Sequence, residues 1–263
     1  MKRSLFLGAY RWLRALGVDP RLSLWSVREM ASYWRDYWRI LRRADVSWPV
    51  SPAYPNFYDK HEAAGTVNGH YFHQDLLVAQ LIWERNPRFH VDVGSRIDGF
   101  VAHVATFRSI EVIDIRPLEG ARVRNISFRQ GDLCAPPAAD AACCDSLSCL
   151  HALEHFGLGR YGDSLDVDGW KRGLRGLAAL LHEGGRLYLS VPVGTQRIEF
   201  NGHRVFAPLT IVDESALWHL ELDSFHFVDD DGHLHLHPKN DVPPLKAANS
   251  LHYGCGIFEF VKR

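Results

Sequence analysis

The chain has 263 residues, enough for one large α/β domain with an appendage. Its hydrophobic content of 46% and charged content of 23% are typical of a globular protein, and no apolar run reaches the roughly 18–20 residues of a membrane span. The net charge of −1 disfavours a uniformly basic nucleic-acid-binding protein, so no nucleic-acid partner is predicted. The charge is uneven, because residues 1–45 carry ten Lys/Arg against four Asp/Glu, or +6, which leaves −7 for the remainder.

Residues 1–48 are predicted to form amphipathic helices rich in Trp and Arg. Trp34, Trp38 and Leu41 recur at i, i+4 and i+7, with arginines on the other faces. Two interpretations are open: a helical cap that packs on the main domain, or a peripheral membrane contact through residues 1–45 with arginines over anionic lipid. The same helices offer an interface for a homodimer. Five of the eight tryptophans lie here: Trp12, Trp25, Trp34, Trp38 and Trp48.

The five cysteines contain no CxxC pair and no His/Cys set with zinc spacing, so the sequence predicts no metal site. We interpret them as reduced thiols of a cytoplasmic protein, which the basic segment would place at the inner face of the membrane if it binds lipid.

Residues 49–68 form a proline-rich linker, and residues 69–263 form the main α/β domain. Alternating strands and helices predict a parallel sheet with helices on both faces. After residue 193 a helix is predicted at 214–222, followed by strands at 224–232 and 256–263. The last strand would close a Rossmann-like, seven-stranded mixed sheet. The earlier strands are predicted at residues 89–93, 110–115, 126–129, 143–149 and 186–191, and the earlier helices at 72–84, 98–107 and 167–181.

Asp92 and Gly94 end the first strand, at the sheet edge where open α/β folds bind ligands. The dinucleotide pattern GxGxxG is absent, because Arg96 stands where the second glycine would be. That glycine admits a pyrophosphate, so its replacement argues against NAD or FAD. S-adenosylmethionine (SAM) has a carboxylate instead, which Arg96 would pair with; the alternative is that Arg96 points to solvent or to a structural carboxylate.

Two further acidic residues extend this candidate site. Asp114 ends the second strand, twenty residues after Gly94, where a carboxylate accepts hydrogen bonds from both ribose hydroxyls. Asp132 follows the third strand and is placed to accept from an adenine amino group, with Leu133 against the ring. The alternatives are a loop-capping Asp114 and an ordinary Asx turn at Asp132. The third element favours SAM over a nicotinamide cofactor.

In order and spacing, DVGS, VIDIR, GDL, CDSLSCLHALEHFG and GGRLYLSVPVG resemble the motifs of class I SAM-dependent methyltransferases, from Val91 to Val193. The resemblance implies SAM as cofactor, S-adenosylhomocysteine as product, and Ser95 and Ile115 as further members of the binding motifs. Within that superfamily, GHYFHQDL and LHALEHFGLGRYGD resemble a bacterial DUF268-like family of unknown function. Such proteins often accompany cell-surface polysaccharide genes, so the resemblance implies a glycan or other small-molecule acceptor.

The candidate catalytic residues His151, Glu154 and His155 follow the fourth strand. A hydroxyl acceptor must lose a proton, and a neutral histidine is a suitable base. We favour His155 as the base; if the segment is helical, His151 shares its face and Glu154 orients His151. The alternative is that one histidine stacks on the cofactor or satisfies a buried polar contact. Tyr71 and Gln74, at the start of the preceding helix, are expected to contact SAM or the acceptor.

The string HALEH also resembles the H-x-x-E-H ligand pattern of inverted zinc peptidases. Gly157 and Gly159 would end the helix that such a site needs, which argues against a peptidase. A Mg²⁺ ion that helps a sugar hydroxyl to ionise is the metal-dependent alternative, and it is not favoured.

The sequence therefore predicts an SAM-dependent methyltransferase that O-methylates a sugar hydroxyl in cell-surface polysaccharide or glycolipid biosynthesis. One alternative is a catalytically degenerate binding protein of the same fold, which the altered glycine loop favours. A nicotinamide-dependent oxidoreductase is the other, but the chain lacks both its glycine loop and a Tyr-x-x-x-Lys pair.

Overall fold

The computed structural model describes residue 10 and residues 12–44, 47–57, 59–120, 122–135, 141–237 and 242–263. It divides into two compact units, Met1–Thr66 and Val67–Arg263. In the described part of the chain, every helix is too short or too polar to span a bilayer.

The smaller unit contains helix α1 (Pro20–Leu41). Asp19 caps its N-terminus, because Oδ1 of Asp19 accepts hydrogen bonds from the backbone N–H groups of Arg21 and Leu22. Pro20, at the first helical position, has no N–H group that would need a partner. No residue of α1 is buried, so the predicted helix is present without a buried face.

The larger unit is built on one eight-stranded sheet with the order β3-β2-β1-β4-β5-β10-β8-β9. A separate hairpin, β6–β7, follows the fifth strand. The strands are β1 (His90–Val93), β2 (Ile110–Asp114), β3 (Ile126–Gln130), β4 (Cys144–Leu150), β5 (Leu181–Val193), β6 (Arg197–Glu199), β7 (His203–Val205), β8 (Leu220–Val228), β9 (Leu234–His235) and β10 (Gly254–Lys262). The helices are α2 (His70–Arg85), α3 (Ala102–Ala105), α4 (Gly169–Leu180), α5 (Pro208–Ala216) and α6 (Val242–Asn249).

Strands β3, β2, β1, β4 and β5 are parallel, and β10 runs antiparallel between β5 and β8. The predicted Rossmann-like mixed sheet is therefore confirmed, with the last strand inserted antiparallel beside β5. The two-residue strand β9 is an addition to the seven strands that were predicted. From β1 the chain adds β2 and β3 on one side and then β4 and β5 on the other. The crevice at the carboxyl ends of β1 and β4 is therefore the topological switch point of the sheet.

Both faces of the sheet are covered, which explains why its central strands read as continuous apolar runs. One core layer contains Leu147, Leu177 and Leu187 and includes residues of helix α4. The opposite layer contains Ile82 and Phe100 and includes residues of helix α2. All four residues of β1 are buried, including the polar His90 and Asp92.

The prediction of a helix at 214–222 is wrong in its second half. Helix α5 starts earlier, at Pro208, and ends at Ala216, and residues from Leu220 onward belong to β8. The apolar side chains of Leu220 and Leu222 alternate with exposed ones and fit a strand as well as a helix, so periodicity over so short a segment misassigns it. The predicted helix at 98–107 is present, but it opens with a π-helical turn, Ile97–Val101.

Candidate functional site

A cleft with an empty volume of about 580 Å³ opens at the switch point of the sheet. Its walls carry apolar groups and the three carboxylates of Asp114, Asp132 and Asp163, a combination of apolar surface and hydrogen-bond acceptors that suits a nucleoside. Seven of the residues predicted from sequence line it: Gly94, Asp114, Ile115, Asp132, Leu133, His151 and His155.

Asp92 lies beneath the glycine turn and not in the cleft wall. Its Oδ1 accepts hydrogen bonds from Ser148 Oγ at 2.5 Å and Ser95 Oγ at 2.7 Å, and its Oδ2 accepts from Ser95 N at 3.0 Å. Burial raises the pKa of Asp92 to about 6, against the effect of these hydrogen bonds. The structure thus gives Asp92 and Ser95 the task of holding the turn in place.

The same network continues to His90, which is fully buried. Ser148 donates its hydroxyl proton to Asp92, so its oxygen must accept a hydrogen bond from His90 Nε2, which lies 3.2 Å away. His90 Nδ1 then carries no proton and accepts a hydrogen bond from Ser146 Oγ at 2.7 Å. A neutral imidazole satisfies both contacts, and burial lowers the pKa of His90 to about 3.

We expect His90 to make the folded protein less stable in mild acid. The unfolded chain binds a proton at His90 near pH 6.5, whereas the folded state excludes it down to about pH 3. The free energy of unfolding therefore has its full value above pH 6.5 and decreases as the pH falls toward 3. Between pH 7.5 and 5 the decrease due to His90 is about 2 kcal/mol. Urea unfolding at both pH values should show a smaller loss in His90→Gln than in the wild type, while His182→Gln, at an exposed site, should behave as the wild type. An equal loss in all three proteins would contradict this role.

Gly94 forms the turn itself, with a φ of +74° that favours glycine. A Cβ at this position would lie 2.8 Å from the Cβ of Ala152, so the turn approaches the segment after β4 as closely as a glycine permits. Arg96 points away from the cleft and forms an ion pair with Asp98 at 2.7 Å, the second of the two orientations that the sequence left open.

Asp114 reaches the cleft from the end of β2, but its carboxylate already has a partner. Arg116 donates to Oδ1 from its backbone N at 2.8 Å and from Nε at 3.0 Å, and to Oδ2 from Nη2 at 2.5 Å. The Arg116 guanidinium also lies over the ring of Tyr161, 4.5 Å from its centroid. Oδ2 accepts a single hydrogen bond from Arg116 and keeps capacity for a hydroxyl donor.

Asp132 and Leu133 line the cleft after the end of β3. Oδ1 of Asp132 accepts a hydrogen bond from Cys134 N at 2.8 Å, the Asx turn that was the alternative interpretation. Of the two lining residues, Leu133 is buried. Both predicted roles remain compatible with the turn.

His151, Glu154 and His155 meet at the far end of the cleft, although not on the continuous helix that was considered. His151 has a left-handed φ of +50°, and only the residues Leu153–His155 form a 3-10 turn. Nδ1 of His151 donates to Glu154 Oε1 at 2.7 Å, so Glu154 orients His151. Nε2 of His155 lies 3.6 Å from the same oxygen.

The other nitrogen of His155 fixes its tautomer. Nδ1 lies 2.7 Å from the carbonyl oxygen of Gly202 and must donate to it, which leaves Nε2 unprotonated. Burial lowers the pKa of His155, against the effect of Glu154, so that the neutral imidazole is favoured. For His151, burial alone favours the neutral form, but Cys255 and Glu154 outweigh it and hold the pKa well above its ordinary value.

Tyr71 and Gln74 contact this end of the site from α2. The Tyr71 ring lies 5.2 Å from that of His151. Gln74 is buried, and its Oε1 accepts hydrogen bonds from Ser190 Oγ at 2.5 Å and Cys255 Sγ at 3.7 Å. The structure therefore places Gln74 behind the histidines and not in the cleft wall.

Sequence reasoning missed Arg116, Tyr161, His70 and Cys255 as members of the site. Arg116 and Tyr161 lie within the motifs VIDIR and GLGRYGD, so their places in those motifs were a usable signal. His70 stacks on His151 with the ring centroids 5.2 Å apart, and it comes from the motif GHYFHQDL. Cys255 comes from β10, far along the chain, and carried no local signal.

Comparison with known proteins concerns the family and the fold of the chain. Residues 102–213 match the family model described as "Caenorhabditis protein of unknown function, DUF268". The match supports the predicted DUF268 resemblance over that part of the chain, but its description does not support a bacterial family, and the motif GHYFHQDL lies outside it. The sequence matches none of the curated proteins.

Solved structures provide the comparison of folds. The chain is similar to the 1,6-didemethyltoxoflavin-N1-methyltransferase of Burkholderia thailandensis, a structure with bound S-adenosylhomocysteine, at a TM-score of 0.51 and 16% identity, covering 89% of each chain. It is also similar to the YcgJ protein of Bacillus subtilis, at a TM-score of 0.50 and 13% identity over 73% of this chain and 98% of the other. At such identities the likeness concerns the fold alone: the chain has the Rossmann-like fold of class I SAM-dependent methyltransferases.

Proposed function

We propose that the protein is an SAM-dependent methyltransferase that O-methylates a sugar hydroxyl in cell-surface polysaccharide or glycolipid biosynthesis. The observation that carries the proposal is a single cleft at the switch point of the sheet. It joins Gly94, Asp114 and Asp132 on one side to His151 and His155 on the other. The sugar acceptor is supported by the family resemblance.

The residues of the cleft fit SAM. In this proposal the turn at Gly94 would bring backbone close to the ligand, Asp114 would accept from a ribose hydroxyl, and Asp132 would accept from the adenine amino group; all three residues line the cleft. Leu133 and Ile115 supply apolar surface for the ring. When bound, SAM supplies a methyl group on a sulfonium centre, which is an electrophile open to in-line attack.

His155 would take the proton from the acceptor hydroxyl. Its Nε2 is the free basic nitrogen, because Nδ1–H is held by the carbonyl of Gly202. Glu154, buried and 3.6 Å from Nε2, would stabilise the imidazolium that forms. Methyl transfer otherwise depends on alignment, which the stacked rings around His151 would provide on the acceptor side.

Calorimetric titration with S-adenosylhomocysteine, with NAD⁺ in parallel, tests the cofactor class. We expect micromolar binding of S-adenosylhomocysteine and no binding of NAD⁺. Incubation with radiolabelled SAM and a panel of nucleotide sugars and lipid-linked glycans then tests the acceptor, with label in the glycan as the expected result. Binding of NAD⁺ alone would refute the proposal.

A catalytically degenerate binding protein is the second candidate. It is favoured by Arg96 in place of a loop glycine and by Arg116, which occupies the Asp114 carboxylate. It predicts S-adenosylhomocysteine binding without label transfer to any glycan in the panel. Failure to bind either ligand would argue against both candidates.

We propose further that residues 1–45 make a peripheral contact with anionic membrane. Helix α1 has no buried residue and exposes Trp34, Trp38 and Ile40. We expect the full-length protein to sediment with phosphatidylserine vesicles at low salt, and to be released as salt screens the arginines. Arg35→Glu and Arg39→Glu together should weaken this binding, whereas the reversal Arg175→Glu, in α4, should not. Binding that is insensitive to salt and to the α1 substitutions would refute the contact.

A further inference from the structure

We propose that His70, His151 and Cys255 form a binding site for a transition-metal ion, with Zn²⁺ as the ion that best suits the ligands. Each residue offers one ligand atom, and the three atoms lie within 4.8 Å of one another. They come from the start of α2, the end of β4 and the start of β10, so the fold assembles a site that no local spacing predicts.

The distances and atom types suit zinc. At Zn–N and Zn–S distances of about 2.0–2.3 Å, tetrahedral ligand atoms lie roughly 3.3–3.6 Å apart, so the set closes with a shift of about 1 Å. Two imidazoles and one thiolate are borderline-soft ligands, which favour Zn²⁺ over Mg²⁺ or Ca²⁺. Three protein ligands leave a fourth position open, as in catalytic zinc sites.

Contacts with neighbouring residues orient both histidines, and His151 would release the proton on Nε2 when the ion binds. His151 gives its Nδ1–H to Glu154 at 2.7 Å, which leaves Nε2 as the ligand atom in the carboxylate–histidine–metal arrangement. The His70 ring stacks on His151 at an interplanar angle of 3°, and its centroid lies 5.3 Å from that of Tyr253.

The nitrogen of His151 independently indicates a missing partner. His151 is 8% exposed, and its Nε2 is buried without a hydrogen-bond partner. Buried polar atoms of side chains are normally paired, and leaving one unpaired is destabilising. A metal ion on this atom would satisfy it.

The charges balance when the ion is divalent. Cys255 is fully buried and would lose its thiol proton to solvent on binding, so that the sulfur carries one negative charge. Glu154 supplies the second negative charge through its hydrogen bond to His151. Gln74, whose Oε1 lies 3.7 Å from the sulfur, faces the site from α2.

His151 also lines the cleft beside His155, which places the proposed ion at its acceptor end. Resting on the proposed function, we infer that the open position takes the oxygen of the acceptor hydroxyl. An ion there would lower the pKa of that hydroxyl and assist its loss of a proton. Metal binding itself does not depend on methyl transfer.

The test uses the full-length protein after dialysis against a chelator. Titration with Zn²⁺ should show one equivalent bound, and titration with Co²⁺ should give a thiolate-to-cobalt charge-transfer band. Cys255→Ser should abolish that band, and Glu154→Gln should weaken Zn²⁺ binding by about 10–100-fold because it removes the carboxylate behind His151. His70→Gln should weaken it at least as much.

Matched controls separate loss of a ligand from loss of folding. Cys149→Ser changes another fully buried cysteine, on β4, and His73→Gln changes a neighbouring histidine of α2; both should bind Zn²⁺ as the wild type does. Circular dichroism checks each variant, and the cobalt spectrum of the wild type tests thiolate ligation if a variant fails to fold.

Absence of saturable Zn²⁺ binding by the wild type would overturn the proposal. So would a cobalt spectrum without thiolate character, or affinity unchanged in Cys255→Ser and His70→Gln. Titration of the same preparations with S-adenosylhomocysteine reports on the proposed function separately. Cofactor binding without metal binding would therefore refute the metal site alone, and the reverse would refute the methyltransferase proposal alone.

Discussion

Replacing Asp114 with alanine is expected to weaken binding of S-adenosylhomocysteine by about 1–3 kcal/mol, or roughly 5- to 150-fold. The physical reason is the loss of charge-assisted hydrogen bonds between the carboxylate and the ribose hydroxyls. Isothermal titration calorimetry of the wild type and Asp114→Ala measures the difference directly. Glu111→Ala is the matched control, because Glu111 lies on the same strand, is paired with Arg129 at 3.0 Å and does not line the cleft.

The partner of Asp114 must be considered in this experiment. Removing the carboxylate also releases Arg116, which donates three hydrogen bonds to it and contacts Tyr161. A released guanidinium in the cleft would itself disturb binding, so the double variant Asp114→Ala/Arg116→Ala distinguishes the two causes. An equal loss in the single and double variants supports the ribose contact, whereas recovery in the double variant assigns the loss to Arg116. Unchanged affinity in Asp114→Ala would refute the ribose assignment.

Much of the parallel half of the sheet was predictable because it follows from local pattern. Gly94 follows β1, Asp114 ends β2 and Asp132 follows β3, and parallel strands bring those ends to one edge. Gly94, Asp114 and Asp132 therefore meet as their positions at strand ends predict. The segment from 214 to 222 was misassigned because its period fits both a strand and a helix.

The partners of the site residues were not predictable in the same way. Asp92 could be placed at the end of β1, but whether it faces ligand or loop depends on Ser148 of β4, whose hydroxyl lies 2.5 Å from it. Likewise, His151 meets Cys255 only because β10 inserts antiparallel beside β5 and brings its first residues to the same edge. Such contacts depend on the register between distant strands, which short motifs do not encode.

Replacing His155 with alanine is expected to lower turnover by about 10²- to 10⁴-fold, the usual contribution of a general base. The affinity for S-adenosylhomocysteine should change much less, because the free nitrogen of His155 is assigned to the acceptor and not to the cofactor. Burial lowers the pKa of His155, so the imidazole stays neutral at pH values below the ordinary histidine pKa of about 6.5. The acidic limb of the turnover profile should therefore lie below pH 6.5. The measurement is steady-state turnover with SAM and the glycan that the labelling panel identifies as acceptor, together with calorimetry.

The glutamine variant decides whether His155 acts as a base or only holds the loop. Its amide can still donate to the Gly202 carbonyl, which His155 Nδ1 contacts at 2.7 Å, but it cannot take up a proton. A base role therefore predicts that His155→Gln loses turnover as His155→Ala does, with His182→Ala unchanged as the control at an exposed site. Recovery of turnover in His155→Gln would make His155 a positioning residue. Equal losses of turnover and cofactor affinity in His155→Ala would instead make it a cofactor contact, and the proton would then have to leave the acceptor by another route.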